Sequence, residues 1–124
     1  MRTMEAAGKR LTMYFDTRAW VEFEDKFYST DELLRRISEN DKATEARIQL
    51  AAVTANCGAR REGRNEAYTP EWLMDNLTPK QIREAAAMAQ QAWLEGMRRE
   101  TVDDDSQEVD EVAAELAKKD RADA

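Results

Sequence analysis

The chain has 124 residues, enough for one compact domain and a tail, and its hydrophobic share of 42% supplies a modest core. The net charge of −7 lies at one end. Residues 100–124 contain ten acidic and three basic residues, whereas residues 1–99 contain sixteen of each. A neutral body with an acidic tail argues against a nucleic-acid binder, which needs a basic face, although the tail can attract a basic partner.

Histidine is absent and cysteine occurs once, which narrows the possible chemistry. The commonest general base and metal ligand is therefore missing, and Cys57 has no histidine to pair with. The Asp103–Asp105 run lacks the spaced ligands and the turn glycine of a calcium loop. The sequence predicts a non-enzyme without a metal or a cofactor, in which Cys57 is a small buried apolar residue.

The sequence also carries no membrane or export signal. No apolar run approaches the roughly 20 residues that span a bilayer, and residues 1–10 lack the hydrophobic core of a signal peptide. A single cysteine cannot form an internal disulfide. These features predict a cytoplasmic protein with no membrane partner.

The beginning of the chain is predicted to contain one short strand. Residues 1–8 are expected to form a flexible N-terminus. Over residues 9–15, Leu11, Met13 and Phe15 alternate with Arg10, Thr12 and Tyr14, which are expected to face outward, the pattern of a strand with one buried face.

Two short amphipathic helices are predicted next. Asp16 can cap a helix over residues 17–27, and Ser29 or Thr30 can cap a second helix over residues 31–39. Apolar side chains recur at helical spacing in both, so we expect them to face the core. They are Trp20, Phe23 and Phe27 in the first helix, and Leu33, Leu34 and Ile37 in the second.

A third helix is predicted over residues 41–62, ending at Gly63. It is apolar on two opposite sides, which is typical of a helix buried between neighbours. We therefore expect it to be the central helix, with alanines allowing close approach. One side carries Ile48, Ala52, Ala55 and Ala59, and the other carries Ala46, Leu50, Val53 and Cys57.

Two Thr-Pro pairs predict two more helix starts. Thr69 precedes a short helix over residues 70–76, and Thr78 forms a capping box with Gln81 at the start of a helix over residues 79–99. Trp72 on the short helix is expected to lie in the core. The long helix has an expected core stripe of Ile82, Ala86, Ala89, Trp93 and Gly96.

Residues 100–124 form an acidic tail with a short amphipathic segment. Val109, Val112, Ala113 and Leu116 recur at helical spacing after Ser106, a candidate cap. A segment so short and so highly charged is a marginal helix by itself. We expect the tail to be mobile in the free protein, although packing on the body or folding on a partner stays open.

The predicted partner-binding residues fall into three groups. Met88 and Leu94 lie off the core stripe of the long helix and are candidates for exposed contacts. A basic cluster lies at the C-terminal end of the central helix, where it either stabilises the helix end or docks an acidic partner, such as the tail of a neighbouring subunit. The candidates are Met88, Leu94, Arg60 and Arg61 (with Arg64 beside them), and Val109, Val112 and Leu116 in the tail.

Over residues 9–99, the order of these features resembles the tail assembly chaperones of long-tailed (siphovirus-type) bacteriophages. The resemblance lies in the sequence and spacing of several pieces, none of which is diagnostic alone. They are Arg10–Asp16, the aromatic and acidic Ala19–Phe27, Ser29–Leu34, the helix end Ala59–Glu62, Thr69–Asp75, and Gln91-Ala92-Trp93.

This resemblance implies a mainly helical chaperone-like domain over residues 9–99 with a non-structural role. Such a protein coats the tape-measure protein and brings tail-tube subunits to it during tail assembly. The family implies self-association, a place in the host cytoplasm and absence from the mature virion. Helix-in-groove binding through apolar anchors would suit that role.

Two further points stay open at the level of sequence. Family members are often made in two lengths by ribosomal frameshifting, and Ala117-Lys118-Lys119 can be encoded by slippery codons. A structural head–tail connector and a small helical adaptor or regulatory protein are the alternative functions, the latter including a helix-turn-helix DNA binder.

Overall fold

The structure is a computed structural model that describes residues 2–99. Within that range a two-stranded sheet precedes five helices, so the prediction of a mainly α fold with about five helices is confirmed. The predicted amphipathic helix of the acidic tail lies outside the described residues. The elements are β1 (Arg2–Ala6), β2 (Lys9–Met13), α1 (Thr17–Lys26), α2 (Thr30–Ser38), α3 (Ala43–Arg61), α4 (Pro70–Asn76) and α5 (Pro79–Arg98).

The expected flexible N-terminus over residues 1–8 is wrong for residues 2–6, which form β1. This strand pairs antiparallel with β2 in a register that runs from Arg2 opposite Met13 to Ala6 opposite Lys9. Ala7 and Gly8 make the two-residue turn with φ values of 54° and 73°, the left-handed pair that suits a tight hairpin. β1 is also tied to α5, because Arg2 forms an ion pair with Glu95 at 2.9 Å.

Four of the five helices begin at the caps that the sequence predicts. Asp16 accepts a hydrogen bond from the amide of Ala19 at 2.9 Å, and Ser29, not Thr30, caps α2. Thr69 caps α4, and Thr78 forms the full capping box with Gln81. The exception is α3, which begins at Ala43 without a side-chain cap because the tight connection from α2 puts Lys42 in the left-handed region.

Helix α3 is the centre of the fold, as predicted. The other four helices and β2 all pack against it. Thirteen of its nineteen residues are buried, and they lie all round the helix. A helix that is apolar on every side is stable only when neighbours surround it. Each neighbour can lie close because most of the buried side chains are small.

Two glycines mark where helices meet the β2 segment most closely. A Cβ added at Gly58 of α3 would lie 1.7 Å from the carbonyl oxygen of Thr12. A Cβ at Gly96 of α5 would lie 2.4 Å from the carbonyl oxygen of Phe15. Both distances are far below van der Waals contact, so the two helices can approach β2 and the residues after it only through glycine.

Three predicted side-chain positions in α1, α2 and β2 are wrong. Trp20 is 40% exposed because Ala19 and Phe23 face the core from α1 and leave it at the edge, where its indole donates to Glu24. Leu34 is 52% exposed because it lies beside the side of α2 that packs against α3. That side is formed by Leu33 and the residues one turn before and after it. Thr12, expected to face outward on β2, is buried beneath α3.

No helix within residues 2–99 combines the length and the apolar character that crossing a membrane requires. The described domain is held by one continuous apolar core around α3.

Candidate protein-binding groove

A half-open cavity of about 570 Å³ lies where α4 and the first half of α5 meet the start of α3. We call it the α4–α5 groove. Most of its wall is apolar, and Met74 stands in it with 53% of its surface exposed. Its wall is formed by Thr44 and Arg47 of α3, by Met74 and Leu77, and by Pro79, Ile82, Arg83, Ala86, Ala87 and Gln90.

The groove follows from the way α4 is attached to the body. Leu73 is fully buried and anchors this seven-residue helix, while Leu77 is buried just after it and the cap Thr78 then starts α5. α4 packs against α3, and Met74 of α4 and Ile82 of α5 both line the unfilled space beside it.

A buried hydrogen-bonded pair fixes the connection that leads into α4. The side-chain amide of Asn56 donates to the carbonyl oxygen of Tyr68 at 2.9 Å and accepts from the backbone N–H of the same residue. Both residues are buried, so this exchange satisfies two backbone groups that water cannot reach. The Tyr68 ring also packs against Trp72 of α4, with ring centroids 5.1 Å apart.

The apolar surface continues beyond the groove along α5. Ala87, Gln90, Leu94 and Met97 follow one another at intervals of three or four residues, so they lie on one side of the helix. We call this row the α5 stripe. Leu94 and Met97 are more than two-fifths exposed. With a rise of about 1.5 Å per residue, Leu94 lies about 12 Å from Ala86 in the groove.

The structure separates the two candidates on the long helix. Leu94 is exposed on the α5 stripe, as its position predicts. Met88, which was also expected to be exposed, is partly buried against the core instead. At about 100° per residue, Met88 lies at least about 100° round the helix from every residue of the stripe. Met88 therefore belongs to the packed side of α5.

Met97 also joins a smaller surface at the far end of the stripe. A cavity of about 230 Å³ lies between Trp20 of α1 and Met97, with Gly96 in its wall. Trp20 is exposed where the sequence predicts core, so this end of the stripe gains an aromatic side chain. Arg99 borders the same cavity.

Two arginines from different helices lie at the groove. Arg47 belongs to α3 and Arg83 to α5, and both line the cavity. Within residues 2–99 neither guanidinium has a carboxylate oxygen within 4 Å. The apolar floor is thus bordered by two positive charges that the described part of the chain does not neutralise.

The basic cluster at the C-terminal end of α3 is different, because each arginine has a carboxylate partner in the body. Arg60 binds Glu22 at 3.2 Å, and Arg61 binds Asp16 at 3.0 Å. Arg64 binds both Glu62 and Glu66, at 2.7 and 2.8 Å. An acidic partner at Arg60 and Arg61 would have to compete with these contacts, so the groove is the more accessible cationic site.

Two acids of these ion pairs, Asp16 and Glu62, have lowered pKa values. Burial opposes ionisation of Asp16, but the amide of Ala19 and the guanidinium of Arg61 outweigh it and lower its pKa. Hydrogen bonds from Thr12 and then Arg64 lower the pKa of Glu62. The body therefore binds fewer protons than the unfolded chain below about pH 5.

We expect the free energy of unfolding to fall as the pH drops through these lowered pKa values. The stabilisation is complete above the ordinary carboxyl pKa of about 4 and is lost below it. Asp16→Asn keeps a good helix cap but removes the titrating group, so its urea midpoint should depend less on pH between about 6 and 2.5. Asp25→Asn removes an exposed carboxylate of α1 and controls for net charge. If the urea midpoints of wild type and Asp16→Asn depended equally on pH, the lowered pKa of Asp16 would not be a source of this pH dependence.

Cys57 lies fully buried in α3, as its apolar interpretation predicts. Burial, followed by the nearby charge of Asp16, raises the pKa of its thiol to about 11. The thiol is therefore protonated at neutral pH and behaves as a core group. Among residues 2–99, no three Cys, Asp or Glu side chains are grouped so that they could hold a metal ion.

The candidates Val109, Val112 and Leu116 lie outside the described residues. Among the described residues, the groove and the α5 stripe together carry three exposed large apolar side chains, Met74, Leu94 and Met97. Searches among protein-family models, curated proteins and solved structures found no match to this chain.

Proposed function

We propose that this chain is a tail assembly chaperone of a long-tailed bacteriophage that holds apolar helices of the tape-measure protein until the tail tube encloses them. In this proposal it also helps to recruit tail-tube subunits, self-associates, and acts in the host cytoplasm without entering the mature virion. The resemblance of residues 9–99 to that family supports the role, and the α4–α5 groove supplies a surface suited to it.

The observation that carries the proposal is the half-open apolar groove with Met74 exposed in it. A tape-measure protein is a very long helical chain with apolar stripes that need cover before assembly. A groove continued by the α5 stripe suits such a helix, because its anchors recur every three or four residues. Methionine suits a surface that must accept many similar stripes, since its side chain is flexible and polarizable.

The experiment is co-expression with the tape-measure protein of the same phage. We expect the wild-type chain to co-purify with it and raise its soluble yield. Met74→Asp puts a charge on the groove surface, and we expect it to weaken binding at least about tenfold, since an anchor contact is worth at least about 1.4 kcal/mol. Calorimetric titration with a soluble tape-measure fragment measures the change.

Leu34→Asp is the matched control. Leu34 is 52% exposed and Met74 is 53% exposed, so the two substitutions change a similar amount of surface apolar area. Leu34 lies on α2, away from the groove, and its variant should bind like wild type. An equal loss of binding in both variants, or wild-type binding by Met74→Asp, would show that the groove is not the binding surface. Recovery of the chain in purified virions would favour a structural connector instead.

A further inference from the structure

We propose that the acidic tail of this chain, through the segment Val109–Leu116, occupies the α4–α5 groove of its own body and is displaced by the client helix. The inference rests on the proposed function, because it gives that groove a second, internal occupant. It assigns the tail a role as a competing ligand that covers apolar surface while no client is bound.

Charge complementarity is the first argument. The body is neutral and the tail carries −7. Arg47 of α3 and Arg83 of α5 both line the groove, and no carboxylate oxygen within residues 2–99 lies within 4 Å of either guanidinium. In the tail, Glu108 and Glu115 fall on one side of the apolar row and Asp110 on the other, at 100° per residue. A helix seated on its apolar row would therefore carry carboxylates on both flanks, within reach of arginines on either helix.

Size agrees with this placement. As a helix, Val109 to Leu116 would cover about 10 Å, and the α5 wall from Ile82 to Gln90 covers about 12 Å. Four apolar side chains of the segment recur at the spacing that helix-in-groove binding uses. They are Val109, Val112, Ala113 and Leu116.

Chain length permits the tail to reach the groove of the same molecule. Ala86 in the groove lies thirteen residues before Arg99, or about 20 Å back along α5. The ten peptide steps from Arg99 to Val109 extend up to about 33 Å. The segment can thus return antiparallel to α5, and the short connection gives it a high effective concentration at the groove.

A tail bound in this way would lower the apparent affinity of the groove for the client. If it filled the groove about 90% of the time, the apparent affinity for the client would fall about tenfold. Weak internal cover of that kind would also protect the apolar surface from self-aggregation. Removing the tail should therefore strengthen client binding and make the isolated protein more prone to aggregate.

The test uses the full-length chain labelled with ¹³C at its methionine methyl groups and no client. Met74 reports on the groove, and the buried Met13 reports on the integrity of the fold. Val112→Asp/Leu116→Asp should shift the Met74 methyl signal towards that of a chain ending at Arg99 and leave Met13 unchanged. Gln107→Asp/Ala114→Asp adds the same charge on the polar side of the segment and should leave Met74 at its wild-type position.

Dilution decides whose tail is bound. A tail in its own groove gives a Met74 shift that does not depend on protein concentration, whereas loss of the shift on dilution would assign the groove to the tail of a second copy and overturn the proposal. A wild-type Met74 signal in both double variants would also overturn it. Because no client is present, either result leaves the co-purification test of the proposed function intact.

Discussion

Gly58→Ala is expected to destabilise the domain by about 3 kcal/mol, although most glycine-to-alanine changes inside a helix stabilise by about 1 kcal/mol. The added Cβ would lie 1.7 Å from the carbonyl oxygen of Thr12, a backbone atom that cannot rotate away. Relief requires α3 and β2 to separate, which breaks the packing of the central helix. For a domain of this size the loss corresponds to a fall in Tm of about 15 °C.

Urea unfolding followed by circular dichroism measures the change, and Gly63→Ala provides the matched control. Gly63 has a φ of 72° at the end of α3, and nothing lies within 4 Å of its added Cβ. The control therefore carries only left-handed backbone strain, about 1–2 kcal/mol. A stabilised Gly58→Ala variant would mean that α3 does not approach β2 as closely as the structure shows.

Local features of the fold were predictable from the sequence, whereas the close contact at Gly58 was not. Helix starts were predictable because their signals are local: a cap such as Asp16 or Thr78 needs only the next three amides. The central position of α3 was predictable because its apolar residues cover two opposite sides. The need for glycine at position 58 was not predictable from the sequence, since the carbonyl oxygen that a larger side chain would strike belongs to Thr12, 46 residues away.

The hairpin and the exposed aromatic residue show a second limit. The turn of β1 and β2 is Ala7-Gly8, and alanine is seldom the residue of a left-handed turn position, so no usual hairpin signal was present. Trp20 shares the helical spacing of Phe23, but only the neighbours of α1 decide which residue at the edge of a stripe is covered. In both cases tertiary contacts outweigh the local pattern.

The candidate site was predictable only in part. Leu94 was identified because it lies off the core stripe, and it is exposed on the α5 stripe. The groove itself joins Arg47, Met74 and Arg83 from three helices, and only the packed fold brings them together. One sequence signal could have indicated it: Ala87, Gln90, Leu94 and Met97 form a second row of recurring residues on α5, apart from the core stripe.

The shape of the groove also depends on Asn56, a buried residue that does not line it. Asn56→Ala should destabilise the domain by about 3 kcal/mol, because it leaves both the N–H and the carbonyl oxygen of Tyr68 buried without this partner. These hydrogen bonds hold the connection that leads into α4. Losing them should loosen α4, move Met74 and weaken the client binding that we propose, even though Asn56 does not line the groove.

Hydrogen exchange measured by mass spectrometry can locate this effect. Amides of residues 66–76 should exchange faster in Asn56→Ala than in wild type, while those of α2 change less, since local opening follows the lost contacts. Asn65→Ala removes the same side chain from an exposed position in the same connection and should leave exchange unchanged. If Asn56→Ala left exchange over residues 66–76 as in wild type, the Asn56–Tyr68 pair would not be what holds α4. The shape of the groove would then depend on the burial of Leu73 and Leu77 alone.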